Sequence, residues 1–434
     1  MKIGVIGVGY VGLTLACLAE FGNNVLFVGR SADKINNLKK GILPVYEKGL
    51  SEIVKRNLEA QRIDATTDYE KMKETEIIFI CVGTPSAEGG AIDISQIKTV
   101  SERLGILLKN TGEHKTIVVK STVVPGTTKD VVIPILEKYS GKKAGGDFSV
   151  CMNPEFLREG DGVYDFLHPD KVVIGGYDEK SSYKVIKLYS FYDSKIPRIV
   201  TNLNTAEMVK YAQNAALATR ISFINEIANI CEKFEVDAYE VSHAIGLDSR
   251  IGPKFLNAGP GFGGSCFPKD VKALVSIAKT FDVNSILLDA VLTVNKTQPH
   301  RMVGIAKSTL GSLNGKKIAV LGLAFKADTD DIREASSIPI INSLLKENAI
   351  IKVYDPQAME NSKKIFGKSV GYCTSKEDCI KDADLCMIIT EWDEFRKLDL
   401  SAIKCPIIDG RRVLDPIKAE QYGLVYKGIG WKNN

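Results

Sequence analysis

The hexapeptide GVGYVG at residues 7–12 constrains the fold of this chain more than any other stretch. It follows an apolar strand pattern at residues 2–6 and precedes an apolar helical pattern at residues 13–21. Its glycines permit a tight turn and the close approach of a pyrophosphate group, which the N-terminus of the following helix receives. A strand, this glycine pattern and a helix in succession predict a Rossmann-type domain that binds a dinucleotide. The candidate cofactor-binding residues in this motif are Gly7, Gly9, Tyr10, Val11 and Gly12.

The end of the second strand pattern bears on the choice between NAD and NADP. An acidic residue at this point binds the ribose 2′-hydroxyl of NAD, whereas this chain continues with Gly29, Arg30 and Ser31. Gly29 lacks the carboxylate that would repel a 2′-phosphate, and Arg30 and Ser31 are able to bind one. These residues, with Lys34 close by, favour NADP. The alternative is a solvated turn in which Asp33 or a backbone group takes the place of the acid.

Three further strand patterns in the first half of the chain are followed by polar turns. The carboxyl ends of parallel strands share one edge of a sheet, and ligands bind at that edge. The residues that follow these strands are Gly83, Thr84, Pro85, Thr122, Glu155 and Glu159. On a helical turn, Glu155 and Glu159 would share one face because they are four residues apart. For either glutamate alone, solvation at the surface is the alternative.

The stretch GFGGSCFPKD at residues 261–270 places a cysteine at the predicted start of a helix. The positive end of that helix and the ammonium of Lys269 favour the thiolate of Cys266, which is the nucleophilic form. The alternative is a glycine turn that carries an inert, buried cysteine.

A long helical pattern at residues 205–234 carries a lysine in apolar surroundings. Lys210 and Asn214 share one face of this helix because they are four residues apart. Burial lowers the pKa of a lysine, and Lys210 would then be able to act on a proton or an oxyanion. The alternative is a surface lysine whose stem packs on the protein while its ammonium stays in water.

The α/β alternation starts again at residue 316, after a helical spacer. The first strand of this part leads into a turn at residues 322–326, where Lys326 is a candidate cation for an anion site. Arg411 follows a later strand, so Lys326 and Arg411 are candidates for binding a nucleotide diphosphate. The chain is therefore predicted to be an α/β protein with two Rossmann-like, doubly wound domains joined by a long central helix and a helical spacer.

Composition argues against several classes of protein. The 434 residues include 57 basic and 53 acidic side chains, and a net charge of +4 is too small to make nucleic acid the main partner. The nine scattered cysteines are typical of reduced core thiols in a cytoplasmic protein and show no zinc-ligand spacing, so no metal is predicted. Neither a signal-peptide pattern nor an apolar run of membrane-spanning length is present, so we expect a cytoplasmic protein with no membrane partner.

Eight motifs occur in order along nearly the whole chain, from Lys2 to about Trp431. They are GVGYVG at 7–12, CVGTPS at 81–86, KSTVVPGTT at 120–128, NPEFLREG at 153–160, AEMVKYAQN at 206–214, GFGGSCFPKD at 261–270, LGLAFKADTDDIREA at 321–335 and DGRR at 409–412. Together they resemble the UDP-glucose/GDP-mannose dehydrogenase family. The resemblance implies three domains: 1–200 for the dinucleotide, 201–310 for dimerisation and the catalytic loop, and 311–434 for a UDP-sugar.

The resemblance also implies a reaction. Family members oxidise the C6 primary alcohol of a nucleotide sugar to a carboxylate, using two nicotinamides and one water. The run at residues 246–256 resembles the UDP-glucose branch, which implies conversion of UDP-glucose to UDP-glucuronate and leaves another UDP- or GDP-hexose as the alternative. Family members usually prefer NAD and commonly carry an aspartate where Gly29 stands here. The family default and the residues therefore disagree on the cofactor.

The resemblance also implies roles for the matching residues of this chain. Cys266 would form a thiohemiacetal and then a thioester, while Lys210 and Asn214 would stabilise the oxyanion at C6. Asp270 would order Lys210 and a water, Thr122 and Glu155 would position the hydrolytic water, and the cofactor contacts would include Glu159, Lys269 and Arg333. An arginine like Arg250 reaches the sugar in a neighbouring subunit, which implies a homodimer or a larger homo-oligomer. The implied substrate-binding residues are Glu155, Phe156, Leu157, Arg158, Glu159, Lys210, Asn214, Arg250, Phe255, Leu256, Asn257, Gly259, Gly263, Cys266, Phe325, Lys326 and Arg411.

Two other classes of function compete with this one. A single-step hydroxy-acid dehydrogenase would use one nicotinamide per substrate and would not need Cys266. A non-catalytic nucleotide sensor would tolerate a degraded site, whereas every candidate catalytic residue is present in this chain.

Overall fold

Two mostly parallel β-sheets dominate the computed structural model, which describes residues 1–431. The contacts within the chain divide it into two units, of which the first is Met1–Gln213 and the second begins at Asn214. The α/β class, the two parallel-sheet domains and the long central helix predicted above are thereby confirmed. The three-part division of the sequence stays a prediction.

The first unit contains an eight-stranded sheet. Its strands lie in the order β3-β2-β1-β4-β5-β6-β7-β8, and of the paired strands only β6 and β7 run antiparallel within the described residues. The strands are β1 (Lys2–Ile6), β2 (Asn24–Val28), β3 (Ile63–Thr66), β4 (Ile77–Ile80), β5 (Thr116–Val119), β6 (Ser149–Met152), β7 (Val172–Gly176) and β8 (Arg198–Asn202). The order changes direction at β1, and a crevice forms at the carboxyl ends of strands at such a point.

Helices connect these strands. They are α1 (Tyr10–Thr14), α2 (Ala32–Lys39), α3 (Leu50–Glu59), α4 (Ser95–Lys109), α5 (Ile133–Ser140), α6 (Gly162–Leu167) and α7 (Glu179–Leu188). The helix predicted to follow GVGYVG is split, because α1 passes into a 3₁₀ helix at Leu15–Phe21. Shorter 3₁₀ turns lie at Tyr69–Glu74 and Glu88–Gly90, and a π-helical turn lies at Thr127–Val132.

Both faces of the central strands of the first sheet are buried, which explains their uninterrupted apolar sequence. In β4, Ile77 and Phe79 pack into one hydrophobic cluster, and Ile78 and Ile80 pack into the other. All four side chains are inaccessible to solvent. Near-continuous apolar sequence is what a parallel sheet covered by helices on both sides requires.

The second unit contains a six-stranded parallel sheet in the order β11-β10-β9-β12-β13-β14. This is the 3-2-1-4-5-6 order of a doubly wound fold, with β9 as its first strand. The strands are β9 (Lys317–Leu321), β10 (Ile350–Tyr354), β11 (Gly371–Tyr372), β12 (Leu385–Ile388), β13 (Ile407–Asp409) and β14 (Tyr426–Gly428).

One helix, α8 (Leu203–Cys231), is 29 residues long and contains the point where the second unit begins. The remaining helices are α9 (Ala238–Gly246), α10 (Phe267–Thr280), α11 (Ile286–Leu310), α12 (Ser337–Lys346), α13 (Met359–Phe366), α14 (Lys376–Ile380) and α15 (Pro416–Gln421), with 3₁₀ turns at Phe395–Lys397 and Leu400–Ala402. Among residues 1–431, no helix combines the length and the apolarity that crossing a membrane requires.

Candidate active site

A cavity of about 460 Å³ opens at the carboxyl ends of β1 and β2 in the first unit. This is the edge at which the strand order reverses. Gly7, Gly9, Gly29 and Gly83 line it, as predicted for residues that follow strands. The position and the lining suit an extended, mostly flat ligand such as a dinucleotide.

The geometry of the glycine motif fits a dinucleotide. Gly7 has a φ of 114°, and a Cβ on it would lie 2.3 Å from the carbonyl oxygen of Cys81. A Cβ on Gly12 would lie 2.0 Å from the carbonyl oxygen of Gly7. By contrast, a Cβ on Gly9 would meet no atom within 4 Å, so the backbone there faces open space. Gly7 and Gly12 therefore allow the tight turn, and Gly9 leaves room for a pyrophosphate to approach.

Basic side chains also line the cavity, and some of the residues around it were not predicted from the sequence. Arg30, Ser31 and Lys34 line it as predicted, and Ser31 also caps α2 by accepting a hydrogen bond from the Lys34 amide at 3.3 Å. Tyr69 and Arg103 line it as well, although they belong to no motif. Arg103 lies on α4, and nothing local in the sequence indicates that this helix borders the cavity.

The other predicted cofactor residues are distributed over both units. The hydroxyl of Thr84 donates to the carbonyl oxygen of Thr122 at 2.8 Å, which joins two strand ends at the sheet edge. Lys269 and Arg333 belong to the second unit. The members of the first unit that do not line the cavity are Tyr10, Val11, Gly12, Thr84, Pro85, Thr122 and Glu159.

Glu155 and Lys210 form a buried ion pair in the first unit, with 2.8 Å between Oε1 and Nζ. Each side chain is 5% exposed, so the snorkelling alternative for Lys210 is wrong. The other oxygen of Glu155 accepts from the Leu157 amide at 2.7 Å. Burial by itself raises the pKa of Glu155, but the charge and hydrogen bond of Lys210 and the Leu157 amide outweigh it, so the net pKa lies below the ordinary value.

A second buried lysine lies near this pair. Lys120 donates to the side-chain oxygen of Asn153 at 3.0 Å, and the Tyr189 hydroxyl donates to the same oxygen at 2.8 Å. Burial lowers the pKa of Lys120 to about 8, and Cys81 and Glu155 partly oppose this shift. The charges of Lys210 and Lys120 both act to lower the pKa of Glu155, so the two lysines stabilise its carboxylate in this buried region.

The segment after β6 is not helical, contrary to the turn considered for Glu155 and Glu159. Tertiary hydrogen bonds hold its backbone instead. The Tyr10 hydroxyl donates to the carbonyl oxygen of Arg158 at 2.5 Å. The carboxylate of Glu47 accepts from the amides of Gly160 and Gly162 at 3.0 and 2.7 Å, and burial raises the pKa of Glu47. Glu47 was missed because its partners lie more than a hundred residues away.

Replacing Glu47 with glutamine is expected to lower the free energy of unfolding by about 1–3 kcal/mol, because one of the two glycine amides then faces an amide nitrogen. Chemical denaturation of the purified protein measures this difference. The matched control is Glu52→Gln on α3, where the side chain is exposed and the expected change is below about 0.5 kcal/mol. A Glu47→Gln protein as stable as the unmutated one would contradict this role.

In the second unit, Cys266 occupies the N-cap position of α10. Phe267 begins the helix, Pro268 lies in its first turn, and Cys266 is exposed, unlike the other eight cysteines. The Ser265 hydroxyl lies 3.6 Å from the Cys266 sulfur. Cys266 is therefore not buried as the alternative required, and the partial positive charge of a helix N-terminus favours the thiolate form of a cysteine.

One turn along α10, Asp270 is buried with only 1% of its surface exposed. Its Oδ2 accepts from the Asn214 amide at 2.6 Å, and its Oδ1 pairs with the ammonium of Lys269. Asp270 therefore fixes the orientation of the Asn214 side chain. Three residues predicted to be catalytic, Cys266, Asn214 and Asp270, thus belong to the second unit, whereas Lys210, Glu155 and Thr122 belong to the first.

The glycine loop before Cys266 packs against the segment after β9. A Cβ on Gly263 would lie 2.4 Å from the carbonyl oxygen of Glu334, and one on Gly264 would lie 2.7 Å from the Phe325 ring. Gly264 has a φ of 80° and donates from its amide to the carbonyl oxygen of Arg333 at 2.9 Å. This packing brings together Gly263 and Phe325, two residues predicted to bind substrate.

The remaining predicted substrate residues of this unit have diverse surroundings. Arg411 donates to the carbonyl oxygens of Gly261 and Ile389, both at 3.1 Å, and so supports the glycine loop. The side chain of Arg250 is 87% exposed and pairs with Asp248. The others are Phe255 with a φ of 63°, the buried Leu256, the exposed Asn257, the buried Gly259 and the half-buried Lys326.

The backbone amides of the turn after β9 are already occupied. Asp355 accepts from the amides of Leu323 and Ala324 at 2.7 and 3.0 Å. Those two donors are therefore not available to the anion site considered for this turn. Lys326 therefore remains a candidate cation for that anion site.

A Rossmann unit with a dinucleotide cradle, a second doubly wound unit and an exposed cysteine at a helix start define a nicotinamide-dependent oxidoreductase. Models of the UDP-glucose/GDP-mannose dehydrogenase family match the chain in three places: the NAD binding domain at 1–193, the central domain at 204–297 and the UDP binding domain at 319–416. The chain therefore belongs to this family, and the resemblance found in its motifs is confirmed.

Individual relatives resemble the chain over its full length. UDP-glucose 6-dehydrogenase AglM of Haloferax volcanii is 42% identical over 436 residues, which cover 99% of this chain and 100% of the relative. UDP-glucose 6-dehydrogenase of Rickettsia bellii is 42% identical over 442 residues, with complete coverage of both chains. A solved UDP-glucose dehydrogenase from Pyrobaculum islandicum is 36% identical, with a TM-score of 0.93 and coverage of 99% of this chain and 98% of that one.

Proposed function

We propose that this chain oxidises UDP-glucose to UDP-glucuronate in two successive steps at C6, with Cys266 as the covalent nucleophile. The observation that carries the proposal is the position of Cys266, exposed at the start of α10 and one turn before the buried Asp270. The names of the relatives in Haloferax volcanii and Rickettsia bellii support the substrate. Another UDP- or GDP-hexose is the alternative substrate for the same chemistry.

The covalent chemistry belongs to Cys266. The cavity lined by Gly7, Gly9 and Gly83 would hold a nicotinamide dinucleotide, which would supply the hydride acceptor for each of the two oxidations at C6. After the first, the Cys266 thiolate adds to the aldehyde carbon and forms a thiohemiacetal, and its loss of hydride leaves a thioester. Water then attacks the thioester carbon, the carbon–sulfur bond breaks, and the products are the uronate and the regenerated thiol.

The other predicted catalytic residues act on charge and protons. Lys210 and Asn214 stabilise the oxyanion that forms on the C6 oxygen, since both are buried cation or amide donors on α8. Asp270 orders Lys210 and a water, and its contact with Asn214 also positions that donor. Thr122 and Glu155 position the hydrolytic water, and the lowered pKa of Glu155 keeps its carboxylate ionised, so that it accepts a hydrogen bond from that water.

Two further proposals concern the partners of the enzyme. We propose NADP as the preferred acceptor, rather than the NAD usual in the family, because Gly29 contributes no carboxylate and Arg30 lines the cavity. We also propose a homodimer or a larger homo-oligomer in which Arg250 contacts the sugar bound to a neighbouring subunit. The high exposure of Arg250 within a single chain supports this.

The test is the stoichiometry of the reaction with UDP-glucose as the limiting substrate. We expect two nicotinamides to be reduced per UDP-glucose, with UDP-glucuronate as the product identified by mass spectrometry. A single-step hydroxy-acid dehydrogenase reduces one nicotinamide per molecule of its own substrate and would reduce none with UDP-glucose, and a nucleotide sensor would also reduce none. UDP-galactose, UDP-N-acetylglucosamine and GDP-mannose, assayed alongside, would redirect the substrate assignment if any of them were oxidised with a higher kcat/KM.

A further inference from the structure

We infer that Arg30, Lys34 and Arg103 form a binding site for the 2′-phosphate of NADP, with Arg103 as a specificity-determining residue on α4. The inference rests on the proposed use of a nicotinamide dinucleotide and concerns the adenosine end of that cofactor. It assigns a role to Arg103, which belongs to none of the sequence motifs.

Three separate elements bring positive charge to one cavity. Arg30 lies in the turn after β2, Lys34 in the first turn of α2 and Arg103 in the middle of α4. All three line the cavity of about 460 Å³ that also contains the glycine cradle. The end of β2 is where the ribose of the adenosine half lies in a Rossmann fold, so these cations surround the place of its 2′ substituent.

These charges are not neutralised by the protein. Within the described part of the chain, no aspartate or glutamate lines the cavity. Over the same residues, none of the three cations forms an ion pair with a carboxylate. Three such cations around one cavity create a positive potential that favours a doubly charged phosphate over a hydroxyl.

Neutral partners orient both guanidinium groups. Nη2 of Arg30 donates to Oε1 of Gln96 at 3.3 Å, and Cζ of Arg103 lies 4.8 Å from the centre of the Tyr69 ring. A guanidinium stacked on a ring keeps its N–H donors in its own plane, where a phosphate oxygen can meet them. The hydroxyl of Ser31 accepts from the Lys34 amide and can still donate its hydrogen.

The packing around Gly29 disfavours the alternative, an acidic residue that would bind the 2′-hydroxyl of NAD. A Cβ on Gly29 would lie 3.1 Å from side-chain carbons of both Val8 and Ile35. Such contacts are tighter than ordinary van der Waals distances, so a larger residue requires both neighbours to shift. The site therefore lacks an acid at this position, and an acid there would require small shifts of Val8 and Ile35.

Calorimetric titration with adenosine 2′,5′-bisphosphate and with 5′-AMP tests the site, because the two nucleotides differ only in the 2′-phosphate. At low salt we expect the bisphosphate to bind at least about tenfold more tightly. Arg103→Gln is expected to lower the affinity for the bisphosphate by about tenfold and to change the affinity for 5′-AMP by no more than about twofold. Lys98→Gln is the matched control, since it removes one charge from an exposed position of α4 outside the cavity.

Two results would overturn the assignment. Affinities for the two nucleotides within about threefold, or binding of neither, would show that no 2′-phosphate site exists. If Arg103→Gln lowered the affinity for both nucleotides equally, Arg103 would contact a part that the two share, such as the adenine ring, and not the 2′-phosphate. Thermal melting of each variant verifies that it is folded, and oxidation of UDP-glucose with NAD would continue in all these cases, so the proposed function is tested separately.

Discussion

Replacing Cys266 with serine is expected to reduce UDP-glucuronate formation by on the order of a thousandfold or more. A serine hydroxyl is not ionised near neutral pH and is a weaker nucleophile than a thiol, whose thiolate form a helix N-terminus favours. The loss should be in kcat, because the substituted atom is the nucleophile and not a main contributor to nucleotide binding. Coupled detection of the uronate and of reduced nicotinamide measures both quantities.

The neighbouring residue provides the control for this experiment. Ser265→Ala changes the same loop by one atom that lies 3.6 Å from the Cys266 sulfur, and its expected effect on kcat is about threefold or less. A similar large loss in both variants would point to a disturbed loop and not to a lost nucleophile. Uronate production at the unmutated rate by Cys266→Ser would rule out the thioester route.

Replacing Lys210 with alanine is expected to have the largest effect on stability, a loss of about 3–5 kcal/mol. The change leaves the buried carboxylate of Glu155 without the cation at 2.8 Å that now compensates its desolvation. Activity should also fall, by on the order of a hundredfold, because a donor to the oxyanion is removed. Urea denaturation gives the first quantity and steady-state kinetics of the folded variant gives the second.

The stability deficit of Lys210→Ala should grow as the pH rises. In the unmutated protein the folded-state pKa of Glu155 lies below its ordinary value of 4.5, so its stabilisation is present above that pH and is lost in acid. Without Lys210, burial raises this pKa, and protonation of Glu155 then relieves the unpaired charge at low pH. Denaturation at pH 5 and pH 8 should therefore show the larger difference at pH 8.

Lys171 offers a matched control for this pair. Its ammonium also lies over the Phe156 ring, at 4.4 Å compared with 5.7 Å for Lys210, and it donates to the Gln213 side chain at 2.6 Å. Lys171→Ala removes a cation from the same ring but leaves no buried carboxylate without its partner. Its expected cost in the free energy of unfolding is therefore about 1 kcal/mol or less. Equal losses in the two lysine variants would contradict the importance of the buried ion pair.

The double variant Lys210→Met with Glu155→Gln separates charge from packing. It removes both charges at once, so it should recover part of the stability lost in Lys210→Ala. Its activity should remain low, because the missing donor is not replaced. A double variant less stable than Lys210→Ala would contradict the unpaired carboxylate of Glu155 as the cause of the loss.

Much of the fold followed from the sequence because the rules involved act over a few residues. GVGYVG between a strand and a helix predicted the cradle, and the glycine-cysteine-proline run predicted that Cys266 lies just before the N-terminus of α10. A spacing of four residues placed Lys210 and Asn214 on one face of α8. The exception is the segment that contains Glu159, where local spacing suggested a helical turn but Glu47 and Tyr10 hold an irregular backbone.

By itself, the sequence thus determined the α/β class, the family and the identity of the nucleophile candidate, since each depends on neighbouring residues in a fixed order. Only the tertiary structure decided that Glu155 is paired with Lys210, that Asp270 holds Asn214 and that Arg103 faces the cavity. The members of each group come from distant parts of the chain. Their meeting depends on how strands and helices pack, because desolvation and charge pairing operate across space and leave no periodic trace in the sequence.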